Sequence, residues 1–250
     1  MSNVIRHSVF TAALAVTLLF GVRADAASGP GGAWTKWTAG NDVSNVASLQ
    51  RGAANYMGYC AGCHSIKYMR YSRLGQDLKI PDEQLEQLLI LPGSKKADYI
   101  TTPLSAEDGE NWFGKAPPDL SLITRAKGSD YVYQFLKTFY IDPQSANGTN
   151  NLALPGTAMP HVLSPLQGLQ EASFAAGDPP MWESFALVEP GQLTAEQYDV
   201  FVRDTVNFLE YVGEPIKAKR QALGVWVILF LLVFTAFAYL LKREYWKDVK

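Results

Sequence analysis

The chain has 250 residues, 48% apolar and 18% charged, which supplies a sizeable core and excludes a disordered, collagenous or coiled-coil protein. With 22 Lys and Arg against 24 Asp and Glu, the formal net charge is −2 and carries no footprint of a nucleic-acid partner. Two cysteines cannot make a disulfide framework.

From the N-terminus, Arg6 and His7 form a basic region ahead of an apolar run from Val9 to Val22 and the small-residue site Ala24-Asp25-Ala26. This reads as a secretory signal peptide over residues 1–26. Residues 27–45, rich in Gly, Ala and Ser with Trp34 and Trp37, read as an extended lead-in. Leu49, Gly52, Ala53, Tyr56 and Met57 recur at helical spacing and predict a helix from Ser48 to about Tyr59. Another helix is expected after residues 60–64. Pro81, the acidic residues behind it and the Pro92-Gly93 stop predict a short helix over residues 82–91. From there to Asp130 the chain reads mostly as loop. Residues 130–139 are predicted helical with Asp130 as N-cap, and residues 147–177 carry turn formers at loop density. Thr194 and Gln197 make a capping box ahead of a helix with Tyr198, Phe201, Val202, Thr205, Phe208 and Leu209 on one face, stopped by Gly213 and Pro215.

Leu223 to Leu241 is nineteen residues without a charge. At ~1.5 Å per residue it is about 28 Å long and crosses a hydrocarbon core. Trp226 on one margin and Tyr239, Tyr245 and Trp246 on the other fit interfacial belts. Basic residues stand on both sides of the span, so the signal peptide sets the orientation. Residues 27–220 are expected outside the cytoplasmic membrane, 221–241 as a transmembrane anchor in lipid, and the basic tail 242–250 inside. There is no internal repeat, parallel-sheet pattern or Gly-rich phosphate loop. The fold class expected is mainly α with long loops plus one C-terminal transmembrane helix, and such an exported part needs something large to fill its core.

Cys60-Ala61-Gly62-Cys63-His64 holds both cysteines of the chain and has the attachment signature of c-type haem. Residues three apart on a helical turn share a face, so both thiols reach one haem edge and His64 can sit under the iron. A redox dithiol uses the same cysteines but has no need of His64 and normally sits beside a βαβ pattern. A zinc site needs four ligands, and outside the motif the exported part offers only His161. For the sixth iron position the candidates are Met57, Met69, Met159, Met181 and His161. Met57 and Met69 are expected on helices local to the motif, and Met181 lies in an acidic run. Met159 sits in Leu-Pro-Gly-Thr-Ala-Met-Pro (154–160), stiffened by Pro155 and Pro160, as a weak thioether ligand requires, and is preferred over His161. His/Met ligation fills both axial positions, which suits one-electron transfer at high potential and not oxygen binding.

Four blocks, Cys-Ala-Gly-Cys-His-Ser-Ile-Lys-Tyr-Met-Arg-Tyr (60–71), Ala-Pro-Pro-Asp-Leu-Ser-Leu-Ile-Thr-Arg-Ala (116–126), Asp-Tyr-Val-Tyr (130–133) and residues 154–160, closed by one C-terminal span with a basic tail, resemble the bacterial type of the cytochrome c1 family. That family supplies the haem subunit of ubiquinol to cytochrome c oxidoreductase, the cytochrome bc1 complex. The resemblance implies one haem c held covalently by Cys60 and Cys63, with His64 as proximal and Met159 as distal ligand. It implies Pro117 and Pro118 in the haem pocket and Arg125, with Tyr131 as a weaker candidate, as propionate partners. It implies that the haem accepts one electron from the Rieske [2Fe-2S] protein and passes it to a soluble or tethered c-type cytochrome. Cytochrome b, beside the anchor, handles the quinone, so this chain is a subunit of an oxidoreductase that itself makes and breaks no substrate bonds. The complex is dimeric in the family, and the haem domain is expected on the periplasmic side of the inner membrane.

Between Glu171 and Glu214 nine acidic residues stand against one basic residue, Arg203, and a surface of that sign would steer a basic partner. Two other functions use the same haem: an anchored monohaem cytochrome of an oxidase or denitrification complex, and a haem sensor with an open iron position. The late anchor speaks against the first and Met159 against the second.

Overall fold

The computed structural model describes residues 32–177 and 180–248, so the expected signal peptide lies outside the described residues. The lead-in is not uniformly extended: it contains a 3₁₀ turn, Ala33–Lys36. Helix α1, Val46–Tyr59, starts two residues ahead of Ser48, because the Asn45 side chain accepts the Ser48 N–H at 3.1 Å and makes Asn45 the cap.

A strand and not a helix follows the cysteine motif. β1, Ile66–Arg70, pairs antiparallel with β2, Tyr99–Ile100. The N–H groups that a helix would use internally are taken sideways by a distant loop: Lys67 donates to Asp119 and Tyr68 to Ser121. Met69 is therefore a buried strand residue and not, as its spacing suggested, part of a local helix. α2, Tyr71–Leu78, completes the unit. The helix expected over residues 82–91 begins as α3, Asp82–Gln84, and widens into a π-helix, Leu85–Leu89, that buries Leu85 and Leu89.

The segment expected as loop before Asp130 holds α4, Ala106–Phe113, and α5, Ile123–Lys127. α4 buries only Gly109, so it shows no apolar stripe in sequence. α6, Ser129–Lys137, forms most of the predicted aromatic helix but stops before Phe139, and Asp130 lies in its first turn, where its Oδ1 accepts the Ala39 N–H at 2.8 Å. β3, Phe139–Ile141, pairs with β4, Thr149–Asn151.

The supposed loop after Asn147 also contains α7, Ser164–Gln167, and β5, Gly168–Ala175, which forms an antiparallel hairpin with β6, Met181–Pro190. Its strands are mostly exposed and irregular in register, so neither carries the apolar alternation that announces a half-buried strand. α8, Ala195–Gly213, has the predicted Thr194–Gln197 capping box. It crosses α1 closely enough that Gly52 faces Asp204 and Phe208 without room for a methyl group. Tyr56, Val202, Val206 and Phe208 are fully buried at this crossing, and α2 and α6 extend the same core.

α9, Lys217–Tyr245, is one continuous helix, longer than the predicted span at both ends. No residue in its apolar window is buried, and it is long and apolar enough to cross a membrane. The described residues are thus mainly α-helical, with three small antiparallel sheets, long connections and a C-terminal apolar helix.

Candidate functional site

Cys60 caps α1, and its carbonyl accepts the N–H groups of Cys63 at 3.1 Å and His64 at 2.8 Å. The motif is therefore a tight turn at the end of the helix that crosses α8. The buried Tyr56 hydroxyl donates to the His64 carbonyl at 2.5 Å, fixing the histidine backbone from below. From the other side Thr102 donates its hydroxyl to the Gly62 carbonyl at 2.7 Å and its N–H to Ser65 Oγ at 2.8 Å.

His64 Nδ1 lies 2.7 Å from the carbonyl oxygen of Pro118. Burial pushes the imidazole down from its ordinary value, partly offset by the Pro118 hydrogen bond and the Asp119 charge. The ring is accordingly neutral at pH 7, and a neutral ring that bonds a carbonyl through Nδ1 carries its proton there. Nε2 keeps its lone pair for a metal. Cys60 and Cys63 form no disulfide, and burial, then the neighbouring Cys63, pushes the Cys60 thiol up to about 12. Two unpaired thiols beside a neutral imidazole with one free nitrogen are the donor set of covalent haem attachment. Among the described residues no group of three metal-binding side chains gathers, as a zinc site would require.

The loop that holds His64 is locked in its turn. The Leu120 N–H donates to the Ser65 carbonyl at 2.8 Å, and α4 lies so close that a Cβ on Gly109 would stand 2.7 Å from Pro117 Cδ. Pro117 is half-buried and Pro118 is exposed at its ring while its carbonyl faces His64. Arg125 is exposed on α5 and forms no salt bridge among the described residues, though its charge reaches the Glu214 carboxylate at the end of α8. Tyr131, half-buried on α6, stacks on Phe135 with centroids 6.5 Å apart.

Met159 is half-buried in a loop built on two asparagines. Asn151 Oδ1 accepts the N–H groups of Ala153 and Leu154, and Asn150 Oδ1 accepts that of Gly156 at 2.8 Å. Two residues on, His161 is 7% exposed and stacks face to face on Phe139, 4.9 Å between centroids. Burial lowers its pKa to about 4. Tyr56, Thr102, Asp119, Asn150 and Asn151 had no role in the sequence reading; only Tyr56, one helical turn before Cys60, left a signal, as a member of the apolar stripe of α1.

The acidic segment 171–214 is not one surface. Asp204 pairs with Arg51, Asp199 with Lys137 and Arg203, Glu210 with Lys217 and Glu214 with Arg220. Glu171, Glu183, Glu189 and Glu196 remain exposed. A second acidic group, Glu107, Asp108 and Glu110 on α4, is exposed beside the Pro117 loop, with Trp112 68% exposed at its end.

A cysteine-histidine turn closing a helix crossing, followed in the chain by an apolar helix long enough to cross a membrane, is the arrangement expected of a c-type cytochrome. The chain belongs to the cytochrome C1 family, whose sequence model matches residues 38–90 and 92–249. It is 48% identical over 212 residues to cytochrome c1 of Allochromatium vinosum, covering 83% of this chain and 87% of that one. It is also 41% identical over 208 residues to a protein named ammonia monooxygenase gamma subunit in Nitrosomonas europaea, covering 83% and 86%. A cytochrome b/c1 of Bradyrhizobium diazoefficiens is 28% identical over 250 residues, with this chain covering 33% of its length. The function that follows from the family is that of an electron-transfer haem subunit of the bc1 complex.

Proposed function

We propose that Cys60 and Cys63 would hold one haem c through thioether bonds and that His64 Nε2 and Met159 Sδ would bind its iron. The hydrogen bond from His64 Nδ1 to Pro118 carries this reading, because it orients the ring and leaves the other nitrogen to the iron. When bound, the haem supplies a one-electron couple. The residues of this chain do the rest: Pro118 holds the imidazole, Asn150 and Asn151 hold the methionine loop, and Arg125 with Tyr131 would pair with the propionates.

The electron comes from the Rieske [2Fe-2S] protein and leaves to a c-type cytochrome, within a dimeric assembly that includes cytochrome b. α4 offers a docking surface for the acceptor: three carboxylates and Trp112 stand beside the loop that holds His64, and would attract a basic partner in a salt-dependent way. Residues 1–26 export the domain, α9 crosses the cytoplasmic membrane, and the haem domain faces the periplasm.

The test is a pyridine haemochrome and redox titration of the detergent-solubilised full chain. One covalent, low-spin haem of high potential, with the charge-transfer band of thioether-ligated ferric iron, is the expected result. A chain with no covalent haem overturns the reading, and a high-spin haem moves the function to ligand binding.

A further inference from the structure

We propose that Asp119 is a positioning residue that acts on the iron through His64 and holds the haem potential down. The inference rests on the haem reading above. Asp119 follows Pro118, whose carbonyl is bonded to the His64 ring. Its two carboxylate oxygens are each committed to a backbone donor: Oδ2 accepts the Lys67 N–H at 2.9 Å and Oδ1 the Ser121 N–H at 3.0 Å. The carboxylate is thus pinned between β1 and the proline loop, half-buried, with no freedom to swing into solvent.

Among the described residues it forms no salt bridge. Lys67, whose N–H meets Asp119, directs its ammonium over the Tyr68 ring at 5.6 Å. Asp119 thus places a carboxylate that is in no salt bridge one residue beyond the carbonyl bonded to the His64 ring.

Ferric iron carries one positive charge more than ferrous iron. An anion fixed behind the proximal imidazole, partly screened from water, stabilises the ferric state more and lowers the potential. His/Met ligation sets a high potential and Asp119 trims it. A merely structural Asp119 would staple the loop to β1 and leave the potential alone.

The experiment is a redox titration with visible spectra on the solubilised full chain carrying D119N, D119S, D119E or S121A. S121A removes the neighbouring staple, the 3.2 Å bond from the Tyr68 N–H to Ser121 Oγ, without changing charge. D119N and D119S are expected to raise the midpoint potential with covalent haem and methionine ligation intact. D119E, with its charge one methylene displaced, should lie between them and the wild type, and S121A should match the wild type. A wild-type potential in haem-loaded D119N and D119S, or an equal shift in S121A, overturns the proposal. If neither neutral variant retains haem, D119E decides, and a wild-type potential there overturns it. A wild-type chain without covalent haem defeats the proposed function instead, before Asp119 is reached.

Discussion

Gly52 and Asp204 meet where α1 crosses α8: a Cβ on Gly52 would stand 2.1 Å from the Asp204 carbonyl oxygen and 2.6 Å from Phe208 Cβ. Both contacts are rigid, so the helices must separate to admit a methyl group. Gly52→Ala is expected to destabilise the haem-loaded protein by about 1–3 kcal/mol, the usual range for overpacking. Chemical denaturation followed at the haem band measures it, and an unchanged midpoint would mean that the crossing has slack.

Met159→Leu keeps the apolar volume of the loop and removes the sulfur. On the proposed ligation the thioether raises the potential, so the potential is expected to fall and the thioether charge-transfer band should vanish. The His161→Ala chain should keep the band, since that imidazole stacks on Phe139. Retention of the band in Met159→Leu would assign the sixth position to another residue.

Burial alone would raise the Asp199 carboxyl, but hydrogen bonds from Lys137, Tyr133 and Arg203 and the charge of Lys137 bring it down to about 2. A folded-state value below the unfolded one contributes stability above the unfolded value of about 3.9 that is lost as pH falls toward 2. Urea titrations at pH 5 and at pH 2.5 should therefore show a smaller acid-induced loss in Asp199→Asn than in wild type. Equal losses would place the acid sensitivity at other carboxylates.

The double variant Cys60→Ser, Cys63→Ser cannot form thioether bonds. Its long loops would surround no porphyrin, and the haem-free chain is expected to lose its cooperative thermal transition. Circular dichroism during heating decides, and a sharp melt like that of the holoprotein would show that packing alone sustains the domain.

Ending the chain after Ala222 removes the apolar length of α9, no residue of which is buried against the rest. Lys217 and Arg220, which pair with Glu210 and Glu214, are kept. The shortened protein is expected in the soluble fraction with an unaltered haem spectrum. Recovery only in membranes would point to a second attachment.

The cysteine-histidine motif, the capped α8 and the apolar span were legible because each is written in consecutive residues: a fixed attachment spacing, a reciprocal cap, an uncharged run. What holds the site together is not consecutive. Thr102 reaches Gly62 across 40 residues, and Asp119 reaches Lys67 across 52, each through a main-chain atom that no side-chain pattern reveals. For the same reason β1 was expected as helix, since its donors are consumed by residues far along the chain. The acidic run misled in the opposite sense. Asp199 and Asp204 find Lys137 and Arg51 from distant helices, so part of a string of like charges in sequence is paired in space, while Glu171, Glu183, Glu189 and Glu196 stay exposed.

Only Glu214, Pro215 and Ile216 separate the end of α8 from the start of α9. Fully stretched, three residues reach about 10 Å, and Lys217 and Arg220 clasp the glutamates on the near side, taking up what little play remains. The cysteine turn, packed on the same α8, is a post and not a buoy: it cannot swing out to fetch an electron or to hand one over. Any distance beyond that short leash must be travelled by the proteins that visit it.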